Sequence, residues 1–229
     1  MAFRFKKASC VVVGTFNIYV LQPSLLRALD IITGDKQRIK MEANFTQPGF
    51  RFSSEELNST WTVSPDRLVV ETNDPQKDCG KEVAEVLGAL KWTPLTAIGT
   101  NAEYTSTDLP IPEWPLVDSK IRDYLKGTEY TPEQTTFHVG LTHGERVLNL
   151  QIAKHGDEFE LSYNSHMDAK NKGSPLEISD FCCGVAKGFL DQRKVAESLF
   201  KKILSVDFDY EHNGDAGTHS NDSGGRESA

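Results

Sequence analysis

The sequence predicts an α+β fold in which a two-layer, mainly antiparallel sheet carries its helices on one face. Hydrophobic periodicity indicates strand, helix, three strands and helix over residues 9–90, and the same order again over 95–204. This matching order predicts two β-α-β-β-β-α pseudo-repeats, in residues 1–94 and 95–204, with the second half packed on the first. The alternative is one irregular α+β domain whose similar element order is coincidental.

The first helix of each half is indicated by a proline at its start and a glycine at its end. Pro23 and Gly34 enclose an apolar helical stripe in the first half, and Pro115 and Gly127 enclose another in the second. Proline loses no hydrogen bond at the first helical position, and glycine accepts the left-handed conformation that ends a helix. The two predicted helices occupy equivalent places in the element order.

Alternating apolar and polar residues predict three strands after each of these helices, with one buried face and one face toward water. The apolar positions of the first half are Ile39, Met41, Ala43 and Phe45, then Trp61 and Val63, then Leu68 and Val70. Those of the second half are Phe137, Val139 and Leu141, then Leu148, Leu150 and Ile152, then Phe159, Leu161 and Tyr163. The residues expected on the open face are Arg38, Lys40, Glu42, Thr60, Thr62, Thr136, His138, Asn149, Gln151, Glu158 and Glu160. Such a face suits a polar protein contact or simple exposure to solvent.

Each half is predicted to close with an amphipathic helix. Asp78 caps the first of these helices. Its apolar stripe consists of Val83, Val86, Leu87 and Leu90. The last helix is predicted over residues 178–204, with an apolar side made of Cys182, Val185, Phe189, Ala196, Leu199, Phe200 and Ile203. Residues 205–229 follow as an acidic tail, predicted to be disordered because it has too little apolar surface to offset the entropy of ordering.

The charge and composition of the chain argue against nucleic acids and membranes as partners. The net charge is -8, and residues 205–229 hold six acidic residues against Arg226, so the body is weakly acidic. Nucleic-acid binding needs a basic face, so we expect no direct nucleic-acid contact. No apolar run approaches the roughly 20 residues of a membrane-spanning helix, so we expect no membrane contact. Four cysteines without a framework spacing fit a reducing compartment, and we therefore expect a cytoplasmic protein.

In element order, the predicted duplicated unit resembles the saddle of the TATA-binding protein, with helices on one face of an antiparallel sheet and the other face open. The resemblance is one of element order and is carried by no shared motif. The acidic charge of this chain argues against the use of such a face on DNA.

Motifs for phosphate chemistry and metal binding are incomplete in this sequence. Gly14-Thr15-Phe16 resembles the opening of a nucleotidyltransferase motif, but the two histidines that would stabilise a transferring phosphoryl group are missing after it. His143 and His155 lie at opposite ends of one predicted strand, about 25 Å apart at ~3.3 Å per residue, so they cannot share an ion. His166-Met167-Asp168 is expected in a loop with no third ligand close in sequence. We therefore predict no metal site and no cofactor.

Cys79 is a candidate reactive side chain. It follows Asp78 at a predicted helix start, where amide groups lower the pKa of a thiol, although the Asp78 carboxylate opposes this effect. A catalytic cysteine also needs a base, and the sequence assigns none. The favoured interpretation is a small residue at a helix terminus.

Two glycines on the last predicted helix mark a candidate partner-binding surface. Gly184 and Gly188 lie away from the main apolar stripe, together with Phe181 and Val195. Glycine inside a helix costs about 1 kcal/mol relative to alanine, which indicates that another surface comes close. We expect a shallow groove filled by a second copy of the chain or by a different protein. The alternative is close contact with a loop of the same chain.

These observations favour a non-catalytic protein-interaction or assembly module of a cytosolic complex, oligomeric and without a dedicated reactive centre. The alternative is an enzyme or small-ligand-binding protein with a site between the two halves, near the loop 164–173 and the helix start at Asp78. A deep pocket with converging Asp, His or Asn side chains would favour the enzyme, and a shallow groove would favour the module.

Overall fold

Ten strands form one sheet, and four helices accompany it in the residues that the structure describes. The structure is a computed structural model that describes residues 2–33, 39–43, 48–54, 57–107, 126, 134–155 and 158–210. The strands are β1 (Ala2–Gly14), β2 (Ile39–Ala43), β3 (Phe50–Ser54), β4 (Ser59–Val63), β5 (Arg67–Thr72), β6 (Leu95–Ser106), β7 (Gln134–His143), β8 (Arg146–His155), β9 (Glu158–Asp168) and β10 (Asp207–Asp209). The helices are α1 (Pro23–Ala28), α2 (Cys79–Ala89), α3 (Pro175–Lys187) and α4 (Phe189–Leu204). None of these described helices has the length and apolar character needed to cross a membrane.

The predicted large, mainly antiparallel sheet is confirmed. The strand order is β2-β3-β4-β5-β1-β6-β9-β8-β7, and each neighbouring pair on this path is antiparallel. The first strands of the two predicted halves, β1 and β6, pair at the centre. β10 is the exception, because it pairs in parallel with Ala2–Arg4 at the start of β1. Both predicted halves therefore contribute to one continuous sheet.

Three of the helices lie together on one face of this sheet. Helices α2, α3 and α4 pack against one another, and they contact the central strands β1, β5 and β6. Along β1, Cys10 and Val12 are fully buried, whereas Val13 on the opposite face is 40% exposed. The mixed α and β composition and the helix-backed sheet layer thus agree with the prediction.

The first half has four strands between its helices, one more than predicted. The additional strand is β3, in which Phe50 and Phe52 alternate with polar residues. Phe52 is buried and stacks on both Phe50 and Trp61, with ring centroids 5.9 and 5.8 Å away. Periodicity does not separate so short an alternation from a turn. The first half is therefore a β-α-β-β-β-β-α unit, and the internal duplication stays a prediction.

Several predicted features fall outside the described residues. They are the helix between Pro115 and Gly127, of which only residue 126 is described, the residues 34–38 and 44–47, and the tail from residue 211 onward. Residues 205–210 do not show the predicted disorder. β10 pairs with the start of β1, and the ring of Phe208 packs against Tyr104 with the centroids 4.7 Å apart. This aromatic contact fixes the segment despite its polar composition.

The last predicted helix is two helices, and this is a correction. α3 ends at Lys187 and α4 begins at Phe189, with Gly188 between them at φ -84 and ψ 11. The side chain of Gln192 donates from Nε2 to the carbonyl oxygen of Val185 at 2.8 Å, which satisfies a backbone acceptor at the break. The apolar stripe keeps its helical period through residue 188, so periodicity gives no sign of the interruption.

Helices α2 and α3 approach each other closely through small residues. A Cβ on Gly80 would lie 2.0 Å from the carbonyl oxygen of Ala186 and 2.4 Å from Cβ of Phe189. Farther along, the hydroxyl of Ser179 donates to the carbonyl oxygen of Leu87 at 3.3 Å. The helix layer therefore has no room for a side chain at position 80.

Candidate functional site

Four polar residues on neighbouring strands form a row across the open face of the sheet. Ser9 of β1 lies opposite Asn101 of β6, Asn101 opposite Asn164 of β9, and Asn164 opposite Asn149 of β8. The Nδ2 group of each asparagine donates to the next residue in the row. Asn149 donates to Asn164 Oδ1 at 3.5 Å, Asn164 to Asn101 Oδ1 at 2.6 Å, and Asn101 to Ser9 Oγ at 3.1 Å. We call these four residues the asparagine ladder.

His166 fixes the orientation of the central amide of the ladder. Its Nδ1 atom lies 3.0 Å from Asn164 Oδ1, and because that oxygen can only accept, the histidine donates in this pair. The hydrogen bonds of the ladder then all run in one direction. Each asparagine retains a second N–H, which can serve as a further donor.

Two lysines and three glutamates form an alternating charge network beside the ladder. A register shift just before Lys7 leaves Lys6 unpaired in the strand ladder and turns both lysines toward the open face. Lys6 Nζ lies 3.1 Å from Glu160 and 3.5 Å from Glu103, and Lys7 Nζ lies 3.1 Å from Glu103 and 3.5 Å from Glu71. The hydrogen bond that Lys6 donates to Glu160 raises the pKa of Lys6, and the one that Lys7 donates to Glu103 raises the pKa of Lys7. Lys6 and Lys7 are therefore each paired with two carboxylates of the same face.

On the other side of the ladder lies a second row, in which three valines accompany a glycine and a histidine. Val69 of β5, Val11 of β1, Gly99 of β6, His166 of β9 and Val147 of β8 lie opposite one another in register. The three valines are partly exposed, and the chain neighbours of Val11 in β1 and of Val69 in β5 point into the core. This row supplies apolar contact area next to the hydrogen-bonding groups of the ladder.

The asparagine ladder lines a depression of about 260 Å³ that opens to solvent. Besides the ladder, its lining includes Lys7, Glu71, Glu103, His138, Gln151 and Ser162. The placement of His138, Asn149 and Gln151 on the open face agrees with the prediction. Because the lining comes from both sides of the β1–β6 pair, the depression spans the boundary between the two predicted halves.

The cysteines of the chain are poorly suited to nucleophilic chemistry. Cys10 and Cys79 are fully buried, and burial raises the pKa of each thiol. Burial also raises the pKa of Cys182 to about 12. Asp78 caps α2 as predicted, because its side chain accepts from the backbone N–H of Lys81 at 3.1 Å. The capped helix start therefore does not activate Cys79, in agreement with the favoured structural interpretation.

The segment from His166 to Asp168 is strand and not loop, which corrects the prediction. These residues pair with Ala97–Gly99 of β6, and the same strand carries Asn164 on the open face. Asp78 belongs to a helix on the other face of the sheet, so the structure does not bring it together with Asn164. Within the described ranges, His, Cys, Asp and Glu side chains form no group of three or more that could hold a metal ion.

The predicted partner-binding residues lie on α3, on α4 and at the junction between them. Gly184 is exposed, and a Cβ there would meet nothing within 4 Å. Val195 is 53% exposed, whereas Phe181 is half-buried. A Cβ on Gly188 would lie 3.4 Å from Nε2 of Gln192. No loop of the described chain covers Gly184, and the four predicted residues do not share a single helix.

Sequence reasoning placed only one member of the asparagine ladder on the open face. Asn149 follows from the alternation in β8, whereas Asn164 falls in the predicted loop, and Ser9 and Asn101 were assigned to neither face. The available signal was the alternation of side chains along each strand, since Ser9 lies between Ala8 and Cys10, which belong to the core, and therefore points to the other face. Alternation gives the face of a residue, but only the strand order and register give its neighbours.

Comparison of the sequence with models of protein families finds no match, and comparison with curated proteins finds no significant match either. The function is therefore inferred from the geometry of the open face and of the helix layer.

Proposed function

We propose that this protein is a non-catalytic interaction or assembly module of a cytosolic protein complex, and that the open face of its sheet binds a protein partner. The observation that carries this proposal is the asparagine ladder, whose amides are tied together and held in one orientation. A hydrogen-bonding row of fixed geometry lowers the entropy that binding costs. The adjacent valines Val11, Val69 and Val147 add the apolar area that a protein contact needs.

The charge network supports a protein partner over a nucleic acid. Lys6 and Lys7 each lie within 3.5 Å of two glutamates, so neither is available to a phosphate without breaking an ion pair. Phosphate contacts depend on uncompensated cations, because the release of counterions drives the binding. A polar, locally neutral face is instead typical of non-obligate protein interfaces.

A small-ligand-binding function is the second candidate, because amide side chains converge in the depression at the β1–β6 boundary. A site of this kind needs enough enclosure to bury most of its ligand. The depression of about 260 Å³ is open to solvent, which favours the module. Affinity purification of the chain from its own source, with mass measurement of the co-eluting material, separates the two. A stoichiometric protein supports the module, and a retained small molecule supports the ligand binder.

Val13→Glu should reduce the recovered protein partner by roughly tenfold or more, because the carboxylate removes apolar contact area next to Val11, and the partner must desolvate it together with Arg67, which lies opposite it in β5. Val13 is 40% exposed on the open face, so we expect the variant to fold normally. Ile203→Glu on α4 is the matched control, since Ile203 is 44% exposed and lies outside both proposed surfaces. Equal recovery of the partner with Val13→Glu and with the wild type would rule out the open face as its binding surface.

Gly184→Leu tests the helix-side surface of Phe181, Gly184, Gly188 and Val195, which we propose as a second partner-binding surface. Nothing lies within 4 Å of a Cβ at this position, so leucine should be accepted in the monomer and should block a closely approaching partner. Gly184→Ala is the control, which should keep the partner and raise the free energy of unfolding by about 1 kcal/mol. Gly188→Leu is less suitable, because it would press on Gln192. If Gly184→Leu has the oligomeric mass and the partner recovery of the wild type, this surface does not bind a partner.

A further inference from the structure

The two edges of the sheet differ in their protection against pairing with another strand. β2, at one edge, has five residues, and two of them, Lys40 and Glu42, are charged. β7, at the other edge, has ten residues, Gln134–His143, without Lys, Arg, Asp or Glu and without proline. Its pairing with β8 runs through all ten residues without a register shift. Charges, proline, bulges and short length are the devices that keep edge strands apart, and β7 has none of them.

The outer edge of β7 has no partner strand among the described residues. An antiparallel edge strand directs alternate N–H and C=O groups outward, where they are ready to form a further ladder. Phe137 of this strand is 41% exposed although it lies on the helix side of the sheet. An aromatic ring at the end of the sheet is thus left partly in water.

We propose that β7 is the contact strand of a symmetric homodimer, in which the β7 strands of two copies pair antiparallel and join their sheets. Antiparallel pairing places side chains of the same face opposite each other, which requires a residue on the two-fold axis. With Val139 on that axis, Phe137 of one copy lies opposite Leu141 of the other, and this apolar pair occurs twice. On the open face, His138 lies opposite Gly140, so a large side chain meets a small one.

The sequence of β7 is therefore self-complementary about Val139. Aromatic and branched cross-strand pairs are among the stabilising pairs of antiparallel sheets, and no like charges face each other in this register. A second copy fits this edge better than an unrelated strand, because one sequence satisfies both sides of the contact. The proposal rests on the outer edge of β7 and not on the asparagine ladder or the helix-side surface, so it does not depend on the function proposed above.

Sedimentation of the full chain at increasing concentration tests the dimer. We expect the mass to rise from the 25.5 kDa of one chain to twice that value. Val139→Lys should weaken the dimer by roughly a hundredfold, because two ammonium groups then face each other on the axis. Met41→Lys, at a residue 51% exposed on the other edge strand, is the matched control and should leave the mass unchanged. A wild-type chain that stays monomeric up to its solubility limit overturns the proposal, as does an unchanged dimer in Val139→Lys.

Mixing two variants tests the register itself. Val139→Lys and Val139→Glu should each be monomeric alone, whereas an equal mixture should form dimers, because a lysine and a glutamate then meet on the axis. No other register places residue 139 opposite itself. A mixture that remains monomeric, when each variant has the far-ultraviolet circular dichroism of the wild type, contradicts the register.

Hydrogen exchange on the wild-type chain keeps the proposal testable if the variants do not fold. The outward amides of β7 should exchange more slowly as the concentration rises, and those of β2 should not change. Concentration-dependent protection of β2 in place of β7 would place the contact at the other edge of the sheet and overturn the proposal.

Discussion

Gly80→Val should lower the free energy of unfolding by about 3 kcal/mol or more. A Cβ at this position would lie 2.0 Å from the carbonyl oxygen of Ala186 and 2.4 Å from Cβ of Phe189. Neither atom is the end of a flexible side chain, so helices α2 and α3 must move apart. Overpacking of a core typically costs 1–3 kcal/mol, and here the displacement involves backbone. Urea unfolding followed by circular dichroism measures the change.

Gly88→Ala on the same helix is the control for this prediction. A Cβ there would have nothing within 4 Å, so only the helix propensity changes. We expect the free energy of unfolding to rise by about 1 kcal/mol. If both variants unfold at the wild-type midpoint, the close approach of α2 to α3 at Gly80 is wrong.

Glu197→Ala should cost about 3–5 kcal/mol, because it leaves a buried guanidinium without its carboxylate. Arg193 and Glu197 are 7% and 6% exposed, and Nε of Arg193 lies 3.3 Å from Oε1 of Glu197. The hydroxyl of Tyr104 donates to the same oxygen at 2.5 Å. Burial, together with Glu197, raises the pKa of Tyr104, so this phenol remains a neutral donor. The carboxylate therefore pairs with Arg193 within α4 and links this helix to the centre of the sheet through Tyr104 of β6.

Two further variants separate the ion pair from simple loss of packing. Tyr104→Phe removes one donor and keeps the carboxylate, so we expect a smaller loss of about 1–2 kcal/mol. Arg193→Met combined with Glu197→Leu replaces both charges by apolar groups and should recover most of the stability lost in Glu197→Ala. A double variant as unstable as Glu197→Ala would show that the cost comes from the shape of the site and not from the unpaired cation.

The alternation in β4, β5, β8 and β9 was sufficient to predict a mainly antiparallel sheet with one wet face. Residues such as Trp61 and Leu161 are buried, while Thr62 and Glu160 point away from the core, as the period of two requires. The extra strand β3 was not predicted, since two phenylalanines next to Pro48-Gly49 form too short a pattern. The split of the last helix at Gly188 was not predicted either, because the apolar stripe continues across it.

Most of the candidate site could not be predicted from the sequence. Asn101 and Asn164 are 63 residues apart in the chain, yet their side chains form the shortest bond of the ladder. No local motif marks either residue as functional, since a single asparagine can occur in a strand or in a loop without any chemical role. Gly184 was identified by a local rule, the cost of glycine in a helix, and the structure shows it exposed without a covering loop in the described chain.

The sequence by itself determined the type of most helices and strands, the buried and open faces of most strands, and the cap of α2 at Asp78, because these depend on dihedral preference and periodicity over a few residues. Only the tertiary structure decided which strands are neighbours, and therefore that Ser9, Asn101, Asn164 and Asn149 form one row and that β7 ends the sheet. Register is a long-range property, because it depends on the pairing of residues that are far apart in the chain, such as Asn101 and Asn164. No short segment contains that information.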